Sequence, residues 1–139
     1  MDKSQIKVGV GVLVFKNGKL LLSKRKNSHG EGEYECSGGH LEHMESFEDC
    51  ARREVREEIG IELKNIRFLC LSNIKRYAPK QYIDIGLIAE WKSGEPQIME
   101  PEKKELLNWY ELENLPKPLF EPTQRYIDAY KNNKNFFDA

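Results

Sequence analysis

The stretch that decides the fold runs from residue 39 to residue 61 and reads GHLEHMESFEDCARREVREEIGI. Residues 46–59 within it contain neither glycine nor proline, and this composition predicts a helix. Ser46 is the predicted N-cap, because a serine side chain can accept a hydrogen bond from the first helical turn. Gly60 is the predicted stop, because glycine adopts the left-handed conformation that ends many helices.

Apolar residues recur at every fourth position of this predicted helix, at Phe47, Ala51, Val55 and Ile59. Residues spaced four apart lie on one face of a helix, so these side chains form an apolar stripe. We therefore expect the stripe to pack against the rest of the domain.

Carboxylates occupy a neighbouring face, because Glu54, Glu57 and Glu58 are three and four residues apart and Glu45 lies just before the helix. Like charges at this spacing destabilise a helix by roughly 0.2–0.5 kcal/mol per pair, so compensating cations are expected. Arg53 lies four residues before Glu57 and can hold it by a charge-assisted hydrogen bond. Two interpretations stay open: a solvated acidic face paired with arginines, or a site for Mg²⁺ or Mn²⁺, which take oxygen ligands and bridge to phosphates.

The spacing of the stretch resembles the signature box of the Nudix hydrolases, Gly-x5-Glu-x7-Arg-Glu-(aliphatic)-x-Glu-Glu-x-Gly-(aliphatic). Every fixed position is filled, by Gly39, Glu45, Arg53, Glu54, Val55, Glu57, Glu58, Gly60 and Ile61. The resemblance implies an α/β fold of the Nudix type, an α/β/α sandwich with a mixed central sheet and this helix as the catalytic helix. It also implies one Nudix hydrolase domain over residues 1–139, with the box at residues 39–61.

The resemblance assigns roles to the acids of the box. Glu54 and Glu58, one turn apart, are the preferred Mg²⁺ ligands, with Mn²⁺ as the alternative metal. Glu57, held by Arg53, is either a further ligand or the general base that deprotonates the attacking water. A backbone carbonyl at this glycine pair ligates a metal in the family, which maps to Gly38 or Gly39.

A late-chain carboxylate near the metals is also implied by the resemblance. Glu102 is preferred for this role over Glu100 and Glu105, against the alternative of a surface charge cluster. The predicted catalytic residues are Glu57, Arg53, Glu54 and Glu58, and the predicted metal ligands are Glu54, Glu58, Glu57, Gly39 and Glu102.

Substrate contacts are predicted from residues that precede the box. Arg25 lies in a basic run after a predicted strand and can grip two phosphate oxygens at once. Gly38 and Gly39 allow close approach of the backbone to a metal or a phosphate. Two roles stay open for His40, which is placed either to donate to a phosphate oxygen or to pack on the loop. Tyr34 stands where many relatives have tryptophan, and it can still stack on a ring.

Other aromatic and histidine residues are left unassigned. Tyr82 and Trp91 lie in a predicted strand, where aromatic side chains more often belong to the core than to a ligand site. His29 lies in a polar loop, where a histidine is more often exposed to solvent than catalytic.

A closer resemblance, to the MutT-type nucleoside-triphosphate diphosphatases, extends over most of the chain. It rests on residues 9–12, 23–26, 38–42, 45–47 and 100–103 and on the strand around Trp109. This resemblance implies Mg²⁺-dependent cleavage of a nucleoside triphosphate, including dNTPs and modified dNTPs, to the monophosphate and pyrophosphate, and a role in cleansing the nucleotide pool is a hypothesis. Two alternatives are kept: a Nudix enzyme for ADP-ribose, a nucleotide-sugar or a dinucleoside polyphosphate, and a non-catalytic nucleotide sensor.

Composition narrows the partners to small molecules. Lys and Arg total 22 against 23 Asp and Glu, so the net charge of −1 provides no general attraction to a nucleic acid polymer or a membrane. No apolar run approaches the roughly 18–20 residues of a membrane span, and the polar N-terminus does not resemble a signal peptide. The three cysteines, Cys36, Cys50 and Cys70, lack metal-site spacing and predict free thiols in a reducing, cytoplasmic compartment. A homodimer is carried over from the family resemblance alone.

The remaining elements follow from residue patterns along the chain. Asn17-Gly18 between two apolar runs predicts a β-hairpin. Further strands are predicted in residues 33–37, 68–71, 82–91 and 106–110, and a second helix in residues 123–130. Phe136 and Phe137 are apolar residues in a polar tail and are candidates for docking on the domain.

Overall fold

The first two strands, β1 (Ile6–Lys16) and β2 (Lys19–Arg25), form the predicted hairpin. In the computed structural model, which describes residues 5–138, both turn residues have positive φ, 52° at Asn17 and 79° at Gly18. Positive φ at both positions is what a two-residue hairpin turn of the favoured hand requires. The expectation for the N-terminal residues 1–4 lies outside the described part of the chain.

The hairpin belongs to a sheet of eight strands within residues 5–138. The other strands are β3 (Tyr34–Glu35), β4 (Ser37–His40), β5 (Glu62–Ile74), β6 (Gln81–Ser93), β7 (Lys104–Glu111) and β8 (Phe136–Phe137). Their order is β3-β2-β1-β6-β5-β8, with β4 paired to β1 and β7 paired to β2. β1 runs parallel to β6 and β5 parallel to β8, whereas the other pairs are antiparallel, so the sheet is mixed as predicted.

The predicted catalytic helix is α1 (Phe47–Ile59), and both of its predicted ends are confirmed. The hydroxyl of Ser46 accepts a hydrogen bond of 3.0 Å from the backbone N–H of Asp49. Gly60 closes the helix with φ of 78°, in the left-handed region that glycine adopts without strain. The predicted apolar stripe is wrong at Phe47, which stands in the first turn and stays 46% exposed, whereas Ala51, Val55 and Ile59 are buried.

The two faces of the sheet carry separate cores, as the alternation of side chains along a strand requires. On one face, Val10, Val12 and Val14 of β1 pack with Val55 and Ile59 of α1. Burying each of these aliphatic side chains contributes about 1.5–3 kcal/mol, and this holds α1 in a fixed position beside β4.

The second face is covered by the other helix, α2 (Glu121–Asn132), which contains the predicted helical residues 123–130. Leu13 of β1 packs there with Tyr126 and Ile127 of α2. A helix on each side of one mixed sheet confirms the predicted α/β/α sandwich.

The chain segments after the sheet also fit the sequence predictions. β8 pairs with β5 through Leu71 and Phe136, so the aromatic pair in the tail does dock on the domain.

Neither helix among residues 5–138 has the length and apolar composition that crossing a bilayer requires. The predicted free thiols are confirmed at all three cysteines, which are buried.

Candidate active site

A cavity of about 540 Å³ opens beside β4 and reaches from α1 across the sheet edge to α2. The predicted residues that line it are Arg25, Gly38, Gly39, His40, Arg53, Glu54, Glu57 and Glu58. β4 pairs with β1 on one side, and no other described strand pairs with β4. Both glycines of β4 line this cavity.

Gly38 and Gly39 are glycines because neighbouring atoms leave no room for a side chain. A Cβ at Gly38 would lie 2.5 Å from the carbonyl oxygen of Val10, and one at Gly39 would overlap the carboxylate of Glu54. The N–H of Gly38 donates to Oε1 of Glu58 at 3.4 Å. The two acids predicted as metal ligands thus lie directly against this glycine backbone.

Arg53 donates hydrogen bonds to three acids, Glu45, Glu54 and Glu57. It donates to both oxygens of Glu45, at 2.7 Å from Nε and 3.0 Å from Nη2, which is a bidentate pair. Its Nη1 lies 2.9 Å from Glu54 and 3.3 Å from Glu57. The predicted contact with Glu57 is present, but the shorter bonds go to the other two acids. Hydrogen bonding from Arg53 lowers the pKa of Glu45 to about 2.

Glu58 has a different cationic neighbour, Lys104, which sequence reasoning missed. Nζ of Lys104 lies 3.4 Å from Oε1 of Glu58 and 2.5 Å from Oε2 of Glu35. The other oxygen of Glu35 accepts from Nη1 of Arg25, also at 2.5 Å. Two cations and two acids from β2, β3, β7 and α1 therefore form a buried charge network in the cavity wall.

Two acids of α1, Glu54 and Glu58, have raised pKa values. Burial raises the pKa of Glu54, and the nearby charges of Glu57 and Glu100 raise it further, against the opposing effect of Arg53. Burial raises the pKa of Glu58 to about 8, although Lys104 opposes the shift. Burial thus outweighs the effect of the arginine and the lysine beside these two carboxylates, and shifts of this kind are typical of functional sites.

These donors suit a hard divalent cation. Carboxylate and backbone carbonyl oxygens are the ligands that Mg²⁺ and Mn²⁺ take, and Glu54, Glu58 and the carbonyls of the glycine pair supply both kinds. Among residues 5–138, no three His, Cys, Asp or Glu side chains already converge at metal-binding distance. Holding a cation would thus require Glu54 and Glu58 to turn from Arg53 and Lys104 towards a shared centre.

The late-chain acid that the structure brings to the cavity is Glu100, whereas the sequence prediction preferred Glu102. Glu102 is exposed and lies outside the cavity, and its backbone carbonyl accepts from the side chain of Asn27. The turn at residues 101–103 separates the two side chains, and the charge of Glu100 acts on Glu54. Glu100, and not Glu102, is therefore the late-chain acid that the structure places beside the α1 carboxylates.

Tyr34 is also placed away from the cavity, contrary to its predicted role in substrate binding. Its ring packs edge-on against Tyr110, with the centroids 6.3 Å apart. Successive side chains of a strand point to opposite faces, and in β3 it is Glu35 that faces the cavity. The aromatic side chains that do line the cavity include Tyr82 of β6, Phe120 and Tyr126.

Two histidines flank Tyr82 in the cavity. The ring of His40 stacks on Tyr82 at a centroid distance of 5.7 Å and an interplanar angle of 27°. His29, which the sequence left unassigned, stacks on the same tyrosine at 6.3 Å and 17°. Burial and nearby cations, chiefly Arg25, lower the pKa of His29 to about 4, and burial with the charge of Lys7 lowers that of His40. Both rings are therefore neutral at pH 7.

A family model described as NUDIX domain matches residues 5–130, which is most of the chain. The chain belongs to the NUDIX family. A solved structure described as a MutT NUDIX hydrolase from Burkholderia pseudomallei is similar to this NUDIX domain, with a TM-score of 0.85 and 32% identity. That match covers 90% of this chain and 98% of the other. The NUDIX domain of Shewanella oneidensis NrtR, solved with ADP ribose, shares the fold at a TM-score of 0.74 and 20% identity, over 96% of this chain and 90% of the other.

Curated relatives of this NUDIX domain are longer proteins. NAD-capped RNA hydrolase NudC of Pseudomonas putida is 35% identical over 119 residues, which are 86% of this chain and 40% of the relative. The protein of the same name from Pseudomonas aeruginosa is 36% identical over 116 residues, which are 84% of this chain and 39% of the relative. The chain thus spans about 40% of the length of these relatives.

Proposed function

We propose that this NUDIX domain hydrolyses nucleoside triphosphates, deoxy forms included, to the monophosphate and pyrophosphate with Mg²⁺. The observation that carries the proposal is the convergence of the α1 carboxylates with the Gly38–Gly39 backbone in a cavity whose other wall is aromatic and cationic. Such a cavity suits an anionic chain of phosphates attached to a flat ring. The likeness to a MutT NUDIX hydrolase across nearly the whole of both chains supports hydrolase activity of the NUDIX type.

In this proposal Glu54, Glu58 and the Gly39 carbonyl hold Mg²⁺, with Glu100 close by and Mn²⁺ as the alternative metal. A bound divalent cation would neutralise charge on the phosphates and lower the pKa of a coordinated water. Glu58 accepts from the Gly38 N–H and lies 3.4 Å from Nζ of Lys104, and it would turn from Lys104 to ligate the metal.

Glu57 is the proposed general base. Its side chain is 53% exposed and has one cationic partner, Nη1 of Arg53 at 3.3 Å. It is therefore the acid of the box with the most freedom to reach a water and accept its proton. Arg53 acts as a positioning residue, because its short bonds to Glu45 and Glu54 fix the guanidinium that orients Glu57.

Cations on the other wall are proposed to hold the phosphate chain. Lys103 lines the cavity with its side chain 66% exposed, at 4.0 Å from Glu100, so it can turn towards a phosphate at little cost. Arg25 is more constrained, because it donates to Glu35, Ser28 and the carbonyl of His29. For Arg25 to grip a phosphate as predicted, the exposed bond to Ser28 is the one to exchange.

A second candidate substrate is a dinucleotide that is linked through a diphosphate, such as the NAD cap of an RNA. The 35% identity to a relative named NAD-capped RNA hydrolase favours this candidate. The chain spans only 40% of the length of that relative, and this counts against it. The prediction that no nucleic acid polymer is a partner therefore stays a prediction. The cytoplasmic location and the homodimer are likewise predictions.

The test is product analysis by ion-exchange chromatography. The protein is incubated with Mg²⁺ and a panel of dNTPs, ADP-ribose, a nucleotide-sugar, diadenosine tetraphosphate and NAD-capped RNA, with Glu57→Gln as the matched variant. We expect dNTPs to give the monophosphate and pyrophosphate, and we expect the variant to lose this activity. Turnover of only the diphosphate-linked substrates would overturn the triphosphate assignment. Binding of nucleotides without turnover of any would identify a sensor.

A further inference from the structure

A second buried carboxylate, Asp84, lines the same cavity but lies on the other side of β4 from the acids of α1. Asp84 is on β6 and is 7% exposed. In the sheet register it stands beside Gly9, which in turn stands beside His40. Residues paired across strands share a face, so Asp84 and His40 project to the α2 side. Gly39 is one residue earlier on β4 and faces Glu54 on the α1 side.

The two oxygens of Asp84 differ in their surroundings. Oδ2 accepts a hydrogen bond from the hydroxyl of Tyr126. Oδ1 lies beside Gly9, where a Cβ would come within 2.8 Å of it. Within residues 5–138 Tyr126 is the only side chain that hydrogen-bonds Asp84, and Ser72 Oγ is the only fully buried side-chain polar atom without a partner. Oδ1 is therefore a free acceptor that is open to the cavity.

Tyr126 is fixed so firmly that the carboxylate cannot turn freely. Its ring is 1% exposed and lies against two paired glycines, Gly11 and Gly86. A Cβ would come within 2.6 Å of the tyrosine at Gly11 and within 2.7 Å at Gly86. The two glycines thus leave room on the sheet for the Tyr126 ring, whose hydroxyl reaches Asp84.

Aromatic rings stand next to this acceptor. Tyr82 is two residues before Asp84 on β6, on the same face, and carries the stacked rings of His29 and His40. Stacking of a nucleobase on aromatic side chains contributes favourably and is tolerant of base identity. The discrimination between bases must then come from a polar group at the edge of the ring.

Glu35, another buried acid that lines the cavity, cannot provide this polar group. Each oxygen of Glu35 accepts from a cation at 2.5 Å, one from Arg25 and one from Lys104. Within the described part of the chain, Asp84 forms no ion pair at such a distance, although the charge of Arg125 acts on it, so Oδ1 is left for the ligand.

We propose that Asp84 is a specificity-determining residue whose Oδ1 accepts a hydrogen bond from an exocyclic amino group of the nucleobase. The cavity would then favour amino-bearing bases and disfavour bases that present a carbonyl there, because two acceptors repel and the buried carboxylate stays unpaired. This inference rests on the proposed function for the phosphate side of the substrate. It assigns the phosphates to the α1 side of β4 and the base to the α2 side.

The test compares nucleotides that differ only in the amino group: CTP with 2-pyrimidinone riboside triphosphate, ATP with purine riboside triphosphate, and GTP with ITP. Hydrogen bonds to charged groups predict a kcat/KM ratio of about 10–100 for at least one pair in the wild-type protein. Asp84→Leu is expected to bring that ratio to about 1, whereas Asp128→Leu on the outer part of α2 leaves it unchanged. Because both rates of a pair come from one preparation, the ratio does not depend on the folded fraction.

Wild-type ratios all within twofold of 1 would overturn the inference, as would a ratio that survives Asp84→Leu. If Asp84→Leu does not fold, Tyr126→Phe removes only the hydroxyl that fixes Oδ2. We expect that change to lower the ratio at least threefold, and an unchanged ratio would count against Asp84.

Equilibrium binding separates this inference from the proposed function. Dissociation constants of the same pairs are measured calorimetrically with Glu57→Gln in the presence of Mg²⁺. If triphosphates are bound with amino-group preference but never hydrolysed by the wild type, the proposed function fails and the base contact stands. Hydrolysis without preference overturns only the base contact, and no binding of any pair overturns both.

Discussion

The ammonium of Lys104 lies 2.5 Å from Oε2 of Glu35 and 3.4 Å from Oε1 of Glu58, on a lysine that is only 4% exposed. This contact joins β7 to β3 and to α1. Each of the two acids is itself nearly buried, at 8% exposure. The position of Glu58 therefore depends on the charge of a residue on β7.

Lys104→Met should destabilise the fold by about 3–5 kcal/mol, because it leaves Glu35 and Glu58 buried without their shared cation. Urea denaturation followed by circular dichroism measures this loss. Lys103→Met is the matched control, since that lysine is 66% exposed and its loss should change stability by no more than about 0.5 kcal/mol. Equal effects of the two substitutions would show that the buried network is not needed for stability.

Gly39→Ala should abolish most activity, because the added methyl group overlaps the carboxylate of Glu54 and displaces it from the glycine backbone. A displacement of about 1 Å in a site of this kind costs about 100-fold in rate. Gly18→Ala is the control: its φ of 79° makes the substitution strained by about 1 kcal/mol, but the surroundings are open. We expect Gly18→Ala to lower the midpoint of thermal unfolding and to leave kcat/KM unchanged. Full activity in Gly39→Ala would contradict the assigned role of Glu54.

The stability of the fold should depend on pH through Asp84. Burial raises its pKa from 3.8 to about 6, although the Tyr126 hydroxyl and the charge of Arg125 oppose this. A raised pKa means that the folded state holds the proton more tightly than the unfolded state. The stabilisation is therefore present below pH 4 and is lost as the pH rises through 6.

Asp84→Asn removes this titration while keeping an acceptor for Tyr126. Between pH 4 and pH 7, the unfolding free energy of the variant relative to that of the wild type should rise by up to about 3 kcal/mol. Each tenfold difference in proton affinity between the folded and the unfolded state corresponds to about 1.4 kcal/mol. Urea melts at several pH values measure the difference. A difference that does not change with pH would show that Asp84 titrates alike in both states.

Local patterns were sufficient to predict the elements that position the site. The caps at Ser46 and Gly60 and the turn at Asn17 and Gly18 depend on near neighbours, and the structure confirms them. The closeness of Gly39 to the helix acids was implied only by the resemblance to the Nudix box, and the structure places Gly39 directly against Glu54.

Long-range partners could not be predicted in this way. Lys104 and Glu35 are 69 residues apart in the chain, and nothing local marks either as buried. In the two-residue strand β3, alternation fixes that Tyr34 and Glu35 face opposite ways but not which one faces the cavity. Asp84 was detectable as an acid within the apolar part of a strand, but its face depends on the register with Gly9.

The central claim is that the α1 carboxylates support Mg²⁺-dependent release of pyrophosphate from a nucleoside triphosphate. The most direct measurement is the amount of pyrophosphate and monophosphate formed from dCTP as Mg²⁺ is titrated, with the wild type and Glu58→Gln side by side. We predict equal amounts of the two products, no turnover after chelation of the metal, and a rate at least about 100-fold lower in the variant at unchanged thermal midpoint. Turnover that persists without metal, release of orthophosphate instead, or full activity in Glu58→Gln would contradict the account.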